Sequence, residues 1–136
     1  DFRGIIDSYK DREEGCLFCE MPEGKFVAEN ELAYAIRDGF PVTDLHTLVI
    51  PKRHVMSYFD LGRPEVNACN QLLDQLKKDI EANDEKVTGF NIGINSGEDA
   101  GQTIYHCHIH LIPRRKGDVE QPRGGVRGVI PEKQGY

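Results

Sequence analysis

The stretch His106-Cys107-His108-Ile109-His110-Leu111 leaves a chain little conformational freedom. Polar and apolar residues alternate strictly, which is the period of a β-strand, where successive side chains leave opposite faces. Read as a strand, "TIYHCHIHLIP" turns His106, His108 and His110 to one side, spaced roughly 6 to 7 Å apart by the strand rise. Cys107, Ile109 and Leu111 fall on the other side, which must be core. Such a strand needs neighbours to pair with and a layer to cover its apolar face.

The rest of the chain supplies both. "KFVAENELAYAIRDGF" holds two short apolar runs around "EN" and reads as a hairpin. "HTLVIP" is a β-branched, buried strand closed by Pro51. "TGFNIGIN" alternates Phe90, Ile92 and Ile94 against Asn91, Gly93 and Asn95. Pro64 suits the first turn of a helix of about 18 residues, with Val66, Cys69, Leu73, Leu76 and Ile80 as its apolar stripe. "DFRGIIDSYKDREEG" reads as a short polar helix ending near Gly15, and "SGEDAGQ" as a loop. The final "RRKGDVEQPRGGVRGVIPEKQGY" is rich in Gly, Pro and Arg and is ordered only if it docks on something. This pattern is α+β with an antiparallel sheet, without a repeat or a second domain. A chain of 136 residues, 38% of them hydrophobic, has enough apolar material for one modest core.

Charge narrows the function classes. A net charge of -6 and a pI near 5.3 argue against a duplex nucleic-acid binder, which needs clustered Lys and Arg to displace counterions. A small anionic ligand stays compatible, since a few focused donors override a mildly acidic total. No apolar run approaches the roughly 20 residues needed to cross a bilayer, and no secretory signal is visible, so a soluble, cytoplasmic protein is expected. The four cysteines are too few for a disulfide scaffold, and Cys16 and Cys19 form a Cys-x-x-Cys pair suited to metal or redox chemistry.

Three in-register histidines have three readings: a solvated polar face, a metal site, or a nucleophilic centre. Ligands this far apart on one strand do not usually all reach one ion. A neutral imidazole can instead attack phosphorus, dividing a hard substitution into two easier ones. It needs one ring nitrogen held by an acceptor and neighbouring donors for the phosphoryl oxygens. "SGEDAGQT" immediately ahead offers glycine N–H groups such as that of Gly101, the Gln102 amide and the Thr103 hydroxyl.

These residues resemble a family. His106 to Ile112 fits the His-φ-His-φ-His-φ-φ pattern of the histidine-triad (HIT) superfamily, φ being apolar. "NSGEDAGQT", "PVTDLHTLVIPKRH" and "CLFC" match further segments, so the likeness runs from residue 16 to 113. One departure is Leu45, where relatives usually carry Gly. The resemblance implies a HIT-like fold, a five-stranded antiparallel sheet flanked by helices, and a homodimer. It divides the chain into an N-terminal extension (1–15), a HIT domain (16–113) and a C-terminal tail (114–136).

The resemblance also implies roles. His108 would be the nucleophile on an α-phosphorus, oriented by a backbone carbonyl, that of His106, and carrying a transient nucleotidyl group. His110 and His46 would serve the phosphate and the leaving group, with Gln102 and Thr103 as further donors. Asp38 would accept the ribose hydroxyls, Asn95 would contact phosphate or hold backbone, and Ile36 and Phe40 would flank the base. A structural zinc would be held by Cys16, Cys19, His54 and His106, the other reading of the two cysteines being a vestigial or redox pair. Cys69 and Cys107 read as packing residues. The implied substrate is a purine nucleotide, foremost a dinucleoside polyphosphate such as diadenosine tetraphosphate. Nucleoside phosphoramidates, or nucleotide binding with incidental catalysis, are the alternatives. Apart from the resemblance, Arg114, Arg115, Arg123 and Arg127 collect near the triad strand of an acidic chain, and one or two of them are expected over the polyphosphate part of a longer substrate.

Overall fold

A computed structural model of the chain describes residues 11–136. The helix expected at the start therefore lies mostly outside the described residues, and its remainder, residues 11–15, is an irregular segment ending in a turn. Five antiparallel strands form one sheet: β1 (Ala28–Glu29), β2 (Ala33–Arg37), β3 (Thr47–Pro51), β4 (Val87–Gly93) and β5 (Ile109–Arg115). Their spatial order is β1-β2-β3-β5-β4, so β5 returns to lie between β3 and β4. The one α-helix among the described residues, α1 (Arg63–Asn83), crosses between β3 and β4.

Each face of the sheet has its own work. Ala33 and Ala35 on β2, Val49 on β3, and Ile109 and Leu111 on β5 pack against Ala68, Cys69, Leu72, Leu76 and Ile80 of α1. Burying each large aliphatic side chain contributes about 1.5–3 kcal/mol, so this cluster carries the fold. The opposite face presents Tyr34, Ile36, Leu48 and Ile50, covered in part by Phe18. The β1–β2 hairpin expected around "EN" is present. Asn30 closes it, its side-chain oxygen accepting the N–H groups of Leu32 and Ala33 while its amide donates to Ala68 O of α1.

The helix is longer than expected, at 21 residues, and its stripe is rotated. Leu72 is buried and Leu73 only partly so, and Glu65 and Ala68 replace Val66 on the inner face. Neighbouring leucines make the register ambiguous by one position, and nothing in the periodicity marks a carboxylate as internal. Glu65 is buried because Arg53, just after β3, reaches it with two N–H groups (2.7 and 3.1 Å). Its carboxylate also accepts the Gly62 N–H that opens the helix (2.8 Å).

The final strand starts at Ile109, not at Thr103, so His106 and His108 precede it and the triad is not a row on one strand. The pairing Val49↔Ile109 would next place Cys107 beside Pro51. Pro51 has no N–H, and its carbonyl accepts from the His106 ring (2.8 Å). The ladder stops there, and the Cys107 N–H goes to Val55 O instead (2.7 Å). Phe90 on β4 and Ile94 just beyond its end pack against the core, but Ile92 stays 52% exposed on this edge strand. Leu45 adopts φ 70°, the left-handed region, at the position where a glycine is usual in the resembled pattern.

The tail docks over the site face of β4 and β5, with short 3-10 turns at Gly125–Val129 and Pro131–Lys133. A Cβ on Gly125 would stand 3.3 Å from the Asn91 amide, so the backbone passes close above β4. The expected arginine clamp does not form. Arg114 is held by both oxygens of Asp118 and by Asn91, and Arg115 by Asp84. Arg123 and Arg127 stand over the Tyr136 ring, and Arg127 also donates to the carbonyls of Lys133 and Gln134. These guanidinium groups staple the tail rather than face the histidines.

Candidate functional site

His108 leaves the segment just before β5 with its ring fixed at one nitrogen. Its Nδ1 lies 2.8 Å from His106 O, a pure acceptor, so Nδ1 carries the proton and Nε2 presents a lone pair. The tautomer of each ring is assigned from partners of this kind. Phe18 packs edge-on against both the His108 ring (5.0 Å) and the His106 ring (5.8 Å). Beside them lies a cleft of about 650 Å³, floored by Ile36 and Leu48, walled by Leu17, Phe18 and Met21, and bounded by Asp38, Gly39 and Phe40. Ile36 and Asp38 thus border one cavity. Phe40 is 92% exposed at its rim. Leu17, Phe18 and Met21 were missed; the signal was "CLFC", where a paired Cys-x-x-Cys fixes the aromatic it encloses.

His110, on β5, faces His46, which immediately precedes β3. His46 Nε2 is 2.9 Å from His110 Nδ1 and 3.4 Å from Asp38 Oδ2, and the last two atoms are 4.0 Å apart. By distance alone these three could hold a cation. Protonation argues otherwise. The Val42 N–H donates to His46 Nδ1 (3.1 Å), so in the neutral ring the proton sits on Nε2, where a metal would need a lone pair. The contact is therefore a donor chain: Val42 N–H to His46, His46 Nε2–H to His110 Nδ1, leaving His110 Nε2–H free to donate. Burial lowers both rings from the ordinary His value, against the opposing pull of Asp38. For His110, proximity to His108 and His46 lowers it further.

The loop ahead of the triad is braced from within. Gln102 is buried, its Oε1 accepting the Gly97 N–H and its Nε2 donating to Met56 O and Ile104 O. Both amide hydrogens are used, so Gln102 holds the loop and is not a free donor for a phosphoryl group. Gly101 takes φ 93°, which a side chain would resist, and Asn95 lies beside it. Thr103 is exposed and borders a different cavity, shared with Cys16 and His54.

On the far side of His106 the four sulfur and nitrogen groups expected together do converge. Cys16, Cys19, His54 and His106 offer ligand atoms all within 4.8 Å of one another. His106 Nδ1 is 3.4 Å from Cys16 Sγ and 3.6 Å from Cys19 Sγ, and His54 Nδ1 is 3.3 Å from Cys19 Sγ. Each imidazole has its other nitrogen on an acceptor: His106 Nε2 on Pro51 O, His54 Nε2 on the Glu13 carboxylate (2.6 Å). Both Nδ1 atoms therefore turn lone pairs toward the sulfurs, the arrangement a divalent ion requires. Burial raises the Cys19 thiol, partly offset by the Glu13 N–H. Burial pushes Cys69 and Cys107 up to about 12, in keeping with inert packing residues.

A histidine held at Nδ1 by a main-chain carbonyl, beside a cleft on a five-stranded antiparallel sheet, is the arrangement that the family resemblance implied. The HIT domain model matches residues 20–117, and the chain belongs to the HIT family. A HIT family protein of Bacillus anthracis superposes with a TM-score of 0.71 at 37% identity, covering 77% of each chain. A zinc-bound histidine-triad family protein of Mycobacterium smegmatis gives 0.69 at 34%, covering 76% of this chain and 78% of that one. The adenylylsulfatase HINT3 of Arabidopsis thaliana is 33% identical over 110 residues, 76% of this chain and 54% of that protein.

Proposed function

We propose that the protein is a nucleotidyl hydrolase or transferase working through a His108–nucleotide adduct, with dinucleoside polyphosphates as its substrate class. The observation that carries this is the His108 Nδ1–H bond to His106 O, which aims the Nε2 lone pair outward. In the first step that lone pair forms the N–P bond to the α-phosphorus as the bond to the bridging oxygen breaks, and the leaving phosphate departs with that oxygen. Water then attacks the same phosphorus, loses a proton, and returns a mononucleotide and free His108. His110 Nε2–H is the donor for the phosphoryl or leaving oxygen, set in that state by His46. The nucleoside occupies the cleft over Ile36 and Leu48, with Asp38 Oδ2 accepting ribose hydroxyls. Its Oδ1 is already fixed by the Phe40 N–H (2.8 Å). Gly101 shapes the loop beside the phosphate, with Asn95 at its edge. Thr103 is a donor only for groups that reach the rim.

Zinc is the ion the second cluster suits: two thiolates and two imidazoles whose distal nitrogens are already held. With all four positions filled by protein it supplies no open coordination site and ties the segment around Cys16 and Cys19 to His106. A homodimer across the open edge of β4 is supported by the exposed Ile92 beside Phe59, itself 83% exposed. Among the described residues no helix is long and apolar enough to cross a membrane.

The test is product analysis with diadenosine tetraphosphate and adenosine phosphoramidate in parallel, with His108→Asn as control. Mononucleotide release from the first, lost in the variant, is the expected result. Cleavage of the phosphoramidate alone moves the protein to the second substrate class. The relative named an adenylylsulfatase favours adenylyl transfer in either case. No turnover above the variant's level leaves a binding role.

A further inference from the structure

We propose that Glu13 is an outer-sphere partner of the metal centre, holding its ligands in place and setting how tightly the ion is kept. The inference rests on the zinc reading above. One residue bears on three of the four ligand residues. The Glu13 carboxylate stands 2.6 Å from His54 Nε2, its N–H donates to Cys19 Sγ (3.2 Å), and its carbonyl accepts the Cys16 N–H (3.3 Å). Next to it, Asp11 O accepts the His54 backbone N–H (2.8 Å). Residues 11–13 therefore strap His54 to the Cys-x-x-Cys turn from outside the stretch that the HIT domain model matches.

The two histidines are held by acceptors of different kinds. His106 gives its distal N–H to a neutral, buried main-chain carbonyl, that of Pro51. His54 gives its own to a carboxylate that is 63% exposed. A carboxylate at the distal N–H makes the proximal nitrogen a stronger donor to a cation and fixes the ring's orientation. As a bare ion pair so exposed a contact adds little to folding stability. Its weight therefore falls on the metal-bound state. A cavity of about 370 Å³, bordered by Glu13, Glu14, Cys16 and His54, gives the ion a path from solvent to the ligands.

The experiment titrates metal-free protein with zinc against a chromophoric chelator, for wild type, Glu13→Gln and Glu14→Gln. Glu13→Gln keeps the size but loses the charge, and is expected to weaken zinc binding by about 10- to 100-fold. Glu14→Gln removes the same charge from the same cavity without touching a ligand, and should stay close to wild type. Thermal unfolding of the metal-free proteins should be the same for all three, which places the effect in the bound state. Wild-type affinity in Glu13→Gln, or an equal loss in Glu14→Gln, overturns the inference alone. A wild type that takes up no zinc removes the zinc reading and this one together.

Discussion

His46 Nε2 and His110 Nδ1 lie 2.9 Å apart, and a backbone N–H at the other His46 nitrogen decides which of them holds the proton. Removing His46 would leave His110 free to choose its tautomer and present a lone pair where a donor is needed. His46→Ala should lower kcat by about 100-fold, at the low end for a displaced acid–base group, with KM changed far less. Steady-state kinetics on the tetraphosphate substrate checks this. An equal rise in KM with kcat intact would show that His46 serves binding alone.

Arg53 and Glu65 test the core. Glu65 is wholly buried, so Arg53→Ala strands a carboxylate and should cost about 3–5 kcal/mol in urea unfolding. Replacing both, as Arg53→Met with Glu65→Leu, should recover much of that loss, because the burden lies in the unpaired charge. A single variant as stable as wild type would mean water reaches the carboxylate.

Leu45 sits at φ 70° with its side chain against the core. Leu45→Gly relieves a left-handed strain of about 1–2 kcal/mol and gives up packing of similar size, so stability should change little. Leu45→Ile keeps the volume but adds a branch at Cβ where φ is positive, and should lose about 1–2 kcal/mol. Thermal denaturation of the pair separates strain from packing.

Burial keeps His46 and His110 below their ordinary value and takes His106 down to about 4. These rings are neutral in the fold, so on acidification the unfolded chain binds protons first. In metal-free protein their contribution is fully present above about pH 6.5, the unfolded His value, and is lost as pH falls toward about 4. Asp84 and Asp118 behave oppositely in origin. Their lowered values add stability that disappears only below the ordinary carboxylate range. Urea midpoints measured across this range should fall through the histidine window. A flat profile there would mean that the rings are protonated in the folded protein.

Ile92→Glu places a charge on the open edge of β4. If the homodimer forms there, sedimentation should show monomer for the variant and dimer for wild type. Dimer in both would move the interface elsewhere.

Much of the fold was legible because its signals are local. The β-branched run before Pro51 and the Pro64 start each constrain their own neighbourhood, and the alternation at residues 106–111 marked the last strand but not its start at Ile109, which Pro51 across the ladder decides. What escaped depends on partners distant in sequence. Glu65 reads as surface until Arg53 is known to reach it, and Leu72 and Leu73 differ only in which one faces β2 and β3. The tail arginines have the composition of a phosphate clamp, but Asp84, Asp118 and Tyr136 claim all four. Gln102 has the chemistry of an oxyanion donor and the position of a brace. In the site, the Cys16–Cys19 spacing marked half of the cluster and the family resemblance supplied His54 and His106, whereas Glu13 has no pattern of its own.

The acceptor that holds His108 belongs to the main chain of residue 106, not to its side chain. No single substitution at 106 deletes that oxygen. The imidazole of His106 is thus free to face Cys16 and Cys19, and a substitution that removed its Nδ1 would leave the acceptor of His108 in place. Two demands on one residue are separated by the chemistry of the peptide bond, and each can drift without taking the other with it.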